Sequence, residues 1–239
     1  MFHQSIYLLK NLSKIFTGSG IQTRFTTYTP RHVTVIHSNV TNAVHQVLEA
    51  MHAPVYFETY DIMGNMNHFP REVVESIQRN KVCLNGRLKT SLCAGEREEL
   101  DLFASLVNCF NLNGQPSRHQ NVDIVVIRES TEGEYAGREH EVVPGVIENF
   151  QGKLADAFFL KSCQEVAKMY PNITYGEISV NKCCLQLVEK PERFDIIVTP
   201  NLYGNLIIHI AAGVAGGGSG EIMPGGSFGA EYAIFEQVG

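Results

Sequence analysis

The chain contains no apolar run near the roughly 20 residues needed to span a bilayer, so none of its 239 residues read as a membrane-spanning helix. Positive charge is not in excess either. A formal net charge of -6 argues against nucleic-acid binding through a basic surface. The six cysteines (Cys83, Cys93, Cys109, Cys163, Cys183 and Cys184) show no CxxC spacing, and the adjacent Cys183 and Cys184 are poorly placed for a simple bridge. They read as reduced thiols in an intracellular compartment. Glycine gives no dinucleotide fingerprint. Seven glycines fall between Gly213 and Gly226, yet no G-x-G-x-x-G stands between a strand and a helix, so this segment reads as a flexible loop.

Acids are missing from the start of the chain. Lys10, Lys14, Arg24 and Arg31 precede the first acid, Glu49. Phe2, Ile6, Leu9 and Phe16 share one helical face, with hydroxyl-bearing residues common elsewhere. A basic, amphipathic, acid-free segment over 1–31 is the profile of a mitochondrial presequence, and the apolar core of a secretory signal is absent.

What is present reads as an α/β chain. With 44% apolar residues, the length allows one large domain or two small ones. Strands are predicted at Val33–Ile36, Pro54–Tyr60, Lys81–Leu84, Val122–Ile127, Ile178–Val180 and Phe194–Pro200. Helices are predicted at Thr41–Met51 with Val44, Val47 and Leu48 inward, and at Pro70–Arg79. Another runs from Glu96 with Leu100, Phe103 and Leu106 on one face. Leu154–Tyr170 and a helix starting at the apolar run Leu206–Ala212 complete the set.

The segment Val122–Val146, VDIVVIRESTEGEYAGREHEVVPGV, organises the rest. Its apolar, β-branched opening reads as a buried strand of a parallel sheet. The strand delivers Arg128 and Glu129 at its carboxyl end, where open α/β sheets place ligands. An arginine there grips a carboxylate bidentately, and Tyr135 in the following turn offers a proton donor.

RESTEGEYAGREHEVVPGV closely resembles the RENTEGEYxGxEH signature of the β-decarboxylating dehydrogenases, specifically the NAD-dependent isocitrate dehydrogenase subunits. The resemblance runs from about Arg31 to Gly239, takes in Asn201-Leu202-Tyr203-Gly204-Asn205, and is strongest to the regulatory, non-catalytic type of subunit from plant mitochondria. It implies an incomplete isocitrate/isopropylmalate dehydrogenase-like α/β fold, a mostly parallel sheet flanked by helices. The implied division is a presequence over 1–31, a partial large domain over 32–121, and a partial small domain over 122–239 with a glycine-rich C-terminal segment.

The departures from the family pattern carry as much meaning. The family's glycine-rich turn after the first strand is replaced by His37-Ser38-Asn39-Val40. Between Phe150 and Gly152 the sequence passes over a helix and strand that in relatives hold the catalytic lysine. The resemblance also implies that the chain is truncated at its C-terminus, without the family's dinucleotide-contacting loop. Arg97 and Arg128 fall on substrate-carboxylate arginines, whereas the second arginine of catalytic subunits is replaced by Val107. The family uses NAD and Mg or Mn, but Asn181, Asn205 and His209 occupy its metal-carboxylate positions. No cofactor-binding residue is assigned, no metal is expected, and Tyr135 is left as the lone acid–base group.

The resemblance thus implies a regulatory subunit of a mitochondrial NAD-dependent isocitrate dehydrogenase. It would sit in the matrix beside a catalytic subunit, with citrate or isocitrate as effector, and with no nucleic-acid or membrane partner. Two other readings of the same residues are a degenerate paralogue and an active decarboxylating dehydrogenase, and the latter needs a metal site that the sequence does not supply.

Overall fold

The computed structural model describes residues 31–36, 41–61, 70–86, 94–112, 114, 116–131, 140–143, 146–148, 152–216 and 223–238. The presequence segment before Arg31, the 37–40 connection, Tyr135 with its turn, and the 149–151 link lie outside the described residues.

β1 (Arg31–Ile36), β2 (Val55–Tyr60) and β3 (Val82–Asn85) are joined by α1 (Thr41–Ala50) and α2 (Arg71–Asn80). These are short β-branched runs alternating with amphipathic helices, the arrangement that builds parallel sheets. After α3 (Ala94–Glu99) come β4 (Leu102–Phe110) and β5 (Asp123–Glu129). A two-stranded sheet follows, made of β6 (His140–Val143) and β7 (Val146–Glu148). The chain continues through α4 (Gly152–Met169), α5 (Val180–Glu189), β8 (Ile196–Thr199), α6 (Asn201–Gly216), β9 (Met223–Gly229) and β10 (Ala233–Val238).

Eight strands form one sheet in the order β2-β1-β3-β10-β9-β4-β5-β8. β2, β1, β3 and β10 run parallel, as do β5 and β8, while β9 and β4 are joined to their neighbours antiparallel. The predicted strand at Val122–Ile127 is therefore parallel to β8 on one side and antiparallel to β4 on the other.

In-register residues point to the same face of a sheet. One cross-sheet row is Ile36, Asn85, Glu236, Gly225, Val107, Val126 and Ile197; the row beside it is Thr34, Cys83, Ile234, Ser227, Ser105, Arg128 and Thr199. Helices bury the apolar members of both rows. Val73, Val74 and Ile77 of α2 pack with Ile36, Cys83 and Ile234. Ile207, Ile208 and Ala211 of α6, with Leu187 of α5, cover Val107, Val126 and Ile197. The second row is unusually polar for an interior: Thr34 shares a hydrogen bond with Ser76 of α2, whereas Arg128 and Thr199 lie beside the start of α6.

Several expectations from sequence are overturned. The helix from Glu96 stops at Glu99; Asp101 adopts φ 48°, and Leu102–Phe110 is a strand between β9 and β5. Its apolar positions fit both the helical and the alternating period, and pairing on both edges decides for the strand. The glycine-rich end is not a loop throughout: Gly213 and Gly216 lie in α6, while Gly225 and Gly226 lie in β9, a central strand. Gly226 is required there, because a Cβ would collide with the Ile234 carbonyl oxygen of β10. Ile178–Val180 forms no strand; Val180 opens α5, and β8 is the outermost strand of its side of the sheet. α6 begins at Asn201, five residues earlier than the apolar run suggested, so the NLYGN motif is itself helical. Val47 is exposed rather than inward.

Candidate functional site

Arg128 is the penultimate residue of β5, and its in-register neighbour on β8 is Thr199. One residue beyond Thr199, Pro200 closes the strand, and its carbonyl accepts from Gly204 N–H at 3.1 Å as α6 starts. Asn201, Asn205 and His209 therefore sit at i, i+4 and i+8, a spacing that places them along one helical stripe.

Arg128 folds onto this stripe. Its Nε donates to the Asn201 carbonyl and to Asn201 Oδ1, each at 3.0 Å. Nη2 donates to Asn201 Oδ1 at 2.5 Å, and Nη1 donates to Asn205 Oδ1. Asn201 is only 3% exposed, so its amide is committed to the guanidinium. Gly204 makes the approach possible, since a Cβ there would overlap Cβ, Cγ and Cδ of Arg128. His209 Nδ1 lies 2.6 Å from the Asn205 carbonyl. A carbonyl only accepts, so Nδ1 carries the ring proton in this bond.

The other sequence-predicted residues divide. Arg97, half-buried in the last turn of α3, acts electrostatically on Glu236 of β10, and its Nε has no hydrogen-bond partner. Burial pushes the Glu236 carboxyl above its ordinary value; Arg97 and the Asn85 amide, 3.3 Å away, pull it partly back. Arg97 and Arg128 thus have different partners, one on β10 and the other on α6. Asn181 lies in the first turn of α5, not in a strand, and its side chain is exposed. Val107, on the position of the missing arginine, is fully buried among Val126, Ile124 and α6. Tyr135 lies outside the described residues.

Sequence reasoning overlooked Asn201, Gly204, Asn85 and Glu236. The i, i+4 spacing of Asn201, Asn205 and His209 was a usable signal, but reading it required starting the helix at Asn201.

The donors do not suit the hard divalent cation that this site type implies. Magnesium prefers anionic oxygens, whereas these positions hold two neutral amides and an imidazole. Asn205 Oδ1 already accepts from Arg128, and Asn181 is solvent-facing on another helix. Among the described residues no group of three or more His, Cys, Asp or Glu side chains is placed to hold a metal. Among them, too, no helix is long and apolar enough to cross a membrane.

This mixed sheet, with an arginine delivered from the end of one strand onto the start of the helix that follows its neighbouring strand, has the architecture of an isocitrate dehydrogenase-type α/β protein. It is similar to the crystal structure of isocitrate dehydrogenase from Methylococcus capsulatus, with a TM-score of 0.74 and 25% identity, covering 87% of this chain and 77% of that one. The TT0538 protein from Thermus thermophilus gives the same TM-score at 26% identity, with 87% of this chain and 52% of that one covered. The sequence model of the isocitrate/isopropylmalate dehydrogenase family matches residues 31–153 and 149–239, and the chain belongs to that family.

Its curated relatives include isocitrate dehydrogenase [NAD] regulatory subunit 1, mitochondrial, of Arabidopsis thaliana, 53% identical with 99% of this chain and 78% of the relative covered. The human subunit beta, mitochondrial, is 37% identical over 82% of this chain and 62% of its own length. The Arabidopsis alignment spans 290 positions, more than the 239 residues of this chain, so the relative carries internal segments that this chain lacks. The two family matches meet at 149–153, where the sequence had pointed to an internal deletion.

Proposed function

We propose that this chain is a regulatory, non-catalytic subunit of a mitochondrial NAD-dependent isocitrate dehydrogenase, working in the matrix beside a catalytic subunit. The observation that carries this is the use of Asn205: its side-chain oxygen, at a metal-ligand position of the family, serves Arg128 instead. Without a metal no Lewis acid polarises the ketone or stabilises the enolate of an oxidative decarboxylation. The 53% identity to a regulatory subunit supports the same reading. Arg128, with Arg97 second, recognises a carboxylate effector such as citrate or isocitrate, and Tyr135 remains as an acid–base group with no reaction to serve. Residues 32–121 and 122–239 correspond to partial large and small domains, although strands from both stretches share the eight-stranded sheet.

The purified chain is expected to form no NADH from isocitrate with Mg2+ or Mn2+. Turnover that a chelator abolishes would show the assignment to be wrong. Residues 1–31 act as the presequence; a fluorescent reporter fused to residues 1–40 is expected to enter mitochondria, and cytosolic fluorescence would sink that part of the reading.

A further inference from the structure

Around the carboxyl end of β3, two buried polar atoms have no hydrogen-bond partner, and they are of opposite kinds. Asn85 Oδ1 can only accept, and Arg97 Nε can only donate. Buried polar groups are normally paired, so each orphan calls for an explanation. Glu236 is in reach of both: Asn85 Nδ2 donates to its Oε2 at 3.3 Å, and Arg97 acts on it electrostatically. The other neighbours bring no charge. In register with Glu236, β3 presents Asn85 and β9 presents Gly225, which has no side chain. Ile36 of β1 and Val73, Val74 and Ile77 of α2 pack on this stretch of sheet and are apolar. Cys83, two residues before Asn85, stays a neutral thiol, pushed up to about 12 by burial and then by the Glu236 charge. Among the described residues, Arg97 is thus the charged group that pulls on Glu236, and burial pulls the other way.

We propose that Glu236 is a proton-driven switch between these two orphans, paired with Asn85 when protonated and with Arg97 when ionised. A protonated carboxyl serves both ends of the Asn85 amide: one oxygen accepts from Nδ2 while the other donates its proton to Oδ1, closing a ring. A carboxylate has no proton to give and sets a negative charge against Oδ1, but it accepts from Arg97 Nε. Raising pH releases the proton to water and moves the link from β3–β10 to α3–β10, so α3 is tied to the sheet only when Glu236 is ionised. The switch stands whether or not the regulatory reading does.

The experiment titrates the full chain by infrared spectroscopy, taking the difference between parent and Glu236→Gln to isolate the Glu236 carboxylic-acid carbonyl band. That band is expected to fade as pH rises, and the sign of its midpoint shift in two variants decides the matter. Asn85→Val is expected to lower the midpoint by roughly one pH unit, about the size of one lost hydrogen bond to the acid. An amide that merely stabilised the carboxylate would raise it on removal. Arg97→Gln is expected to raise the midpoint, because the ionised form loses its partner. A second readout in the parent chain needs neither substitution to fold: solvent exchange of the Arg97 Nε proton by NMR, with the signal assigned by its absence in Arg97→Gln or by sequential connectivity. Base catalysis speeds such exchange as pH rises, whereas capture by ionised Glu236 is expected to slow it across the infrared midpoint. Glu236→Gln, whose amide can both donate to and accept from Asn85, is expected to abolish that slowing. A midpoint that rises or stays fixed in Asn85→Val, or Arg97 exchange that only accelerates with pH in the parent, overturns the inference.

Discussion

Arg128 and Glu236 are charged residues on the same face of the sheet, and their surroundings treat them in opposite ways. Arg128 meets three neutral oxygens and is stabilised as an ion. Glu236 is half-buried and accepts from the Asn85 amide, and desolvation outweighs the pull of Arg97. A carboxyl whose folded pKa is raised favours the folded state most when protonated. Its contribution is present below the ordinary carboxylate pKa and is lost as pH rises through the folded value. Glu236→Gln is therefore expected to raise Tm at about pH 8 and to leave it unchanged at about pH 3, where the parent carboxyl is already neutral. Thermal melts of both proteins across that range test it, and a lower Tm for the variant at high pH would show that Arg97 stabilises the ionised form after all. Glu58 has the reverse sign. The Arg79 hydrogen bond, then that of Ser76, holds its carboxyl low, so its stabilisation is present above the ordinary value and is lost in acid.

β4 shows what sequence patterns can and cannot decide. Leu100, Phe103 and Leu106 recur at helical spacing, while Phe103, Ser105, Val107 and Cys109 alternate, so the segment supports either period. Only the two flanking strands settle it, and one of them, β9, comes from a glycine-rich stretch with no strand signal of its own. β5 and the parallel β1–α1–β2–α2–β3 series were legible because they carry strong apolar runs or amphipathic helices. Arg128 was legible for the same reason, as the charged end of an unmistakable strand. Its partners were not, because Asn201 and Gly204 matter through one tertiary contact that no local pattern encodes. The same logic governs Val107. Restoring the family's arginine there suggests a regained carboxylate contact, yet this side chain has 0% exposure among Ile124, Val126 and α6. Val107→Arg is expected to destabilise the fold by about 3 kcal/mol or more, since it buries an unpaired cation. Denaturant unfolding of the variant measures this, and parent-like stability would mean that the cation finds a polar exit.

At the scale of the whole molecule, burial is uneven. α2 and α6 each cover a well-filled core, but Phe158 and Leu160 of α4, Leu185 and Val188 of α5, and Leu206 of α6 are exposed. Ile196, on outermost β8, is about half exposed as well. Large apolar side chains gathered on successive elements are costly in water and mark surfaces that other proteins cover. An uncovered outer strand adds a risk of non-specific pairing. The family match breaks at 149–153, immediately before α4, so the elements missing from this chain would adjoin α4, which carries the exposed Phe158 and Leu160. A regulatory subunit would meet this cost by assembling with a catalytic one, whereas a degenerate paralogue would not. Co-expression with a catalytic isocitrate dehydrogenase subunit is therefore expected to raise the soluble yield of this chain and to give a complex that co-elutes in size-exclusion chromatography. Leu206→Glu, on the exposed side of α6, is expected to reduce co-elution while leaving the α6 core intact, because Ile207 and Ile208 carry that packing. Separate elution of the two subunits, or insolubility with the partner present, would favour the degenerate paralogue.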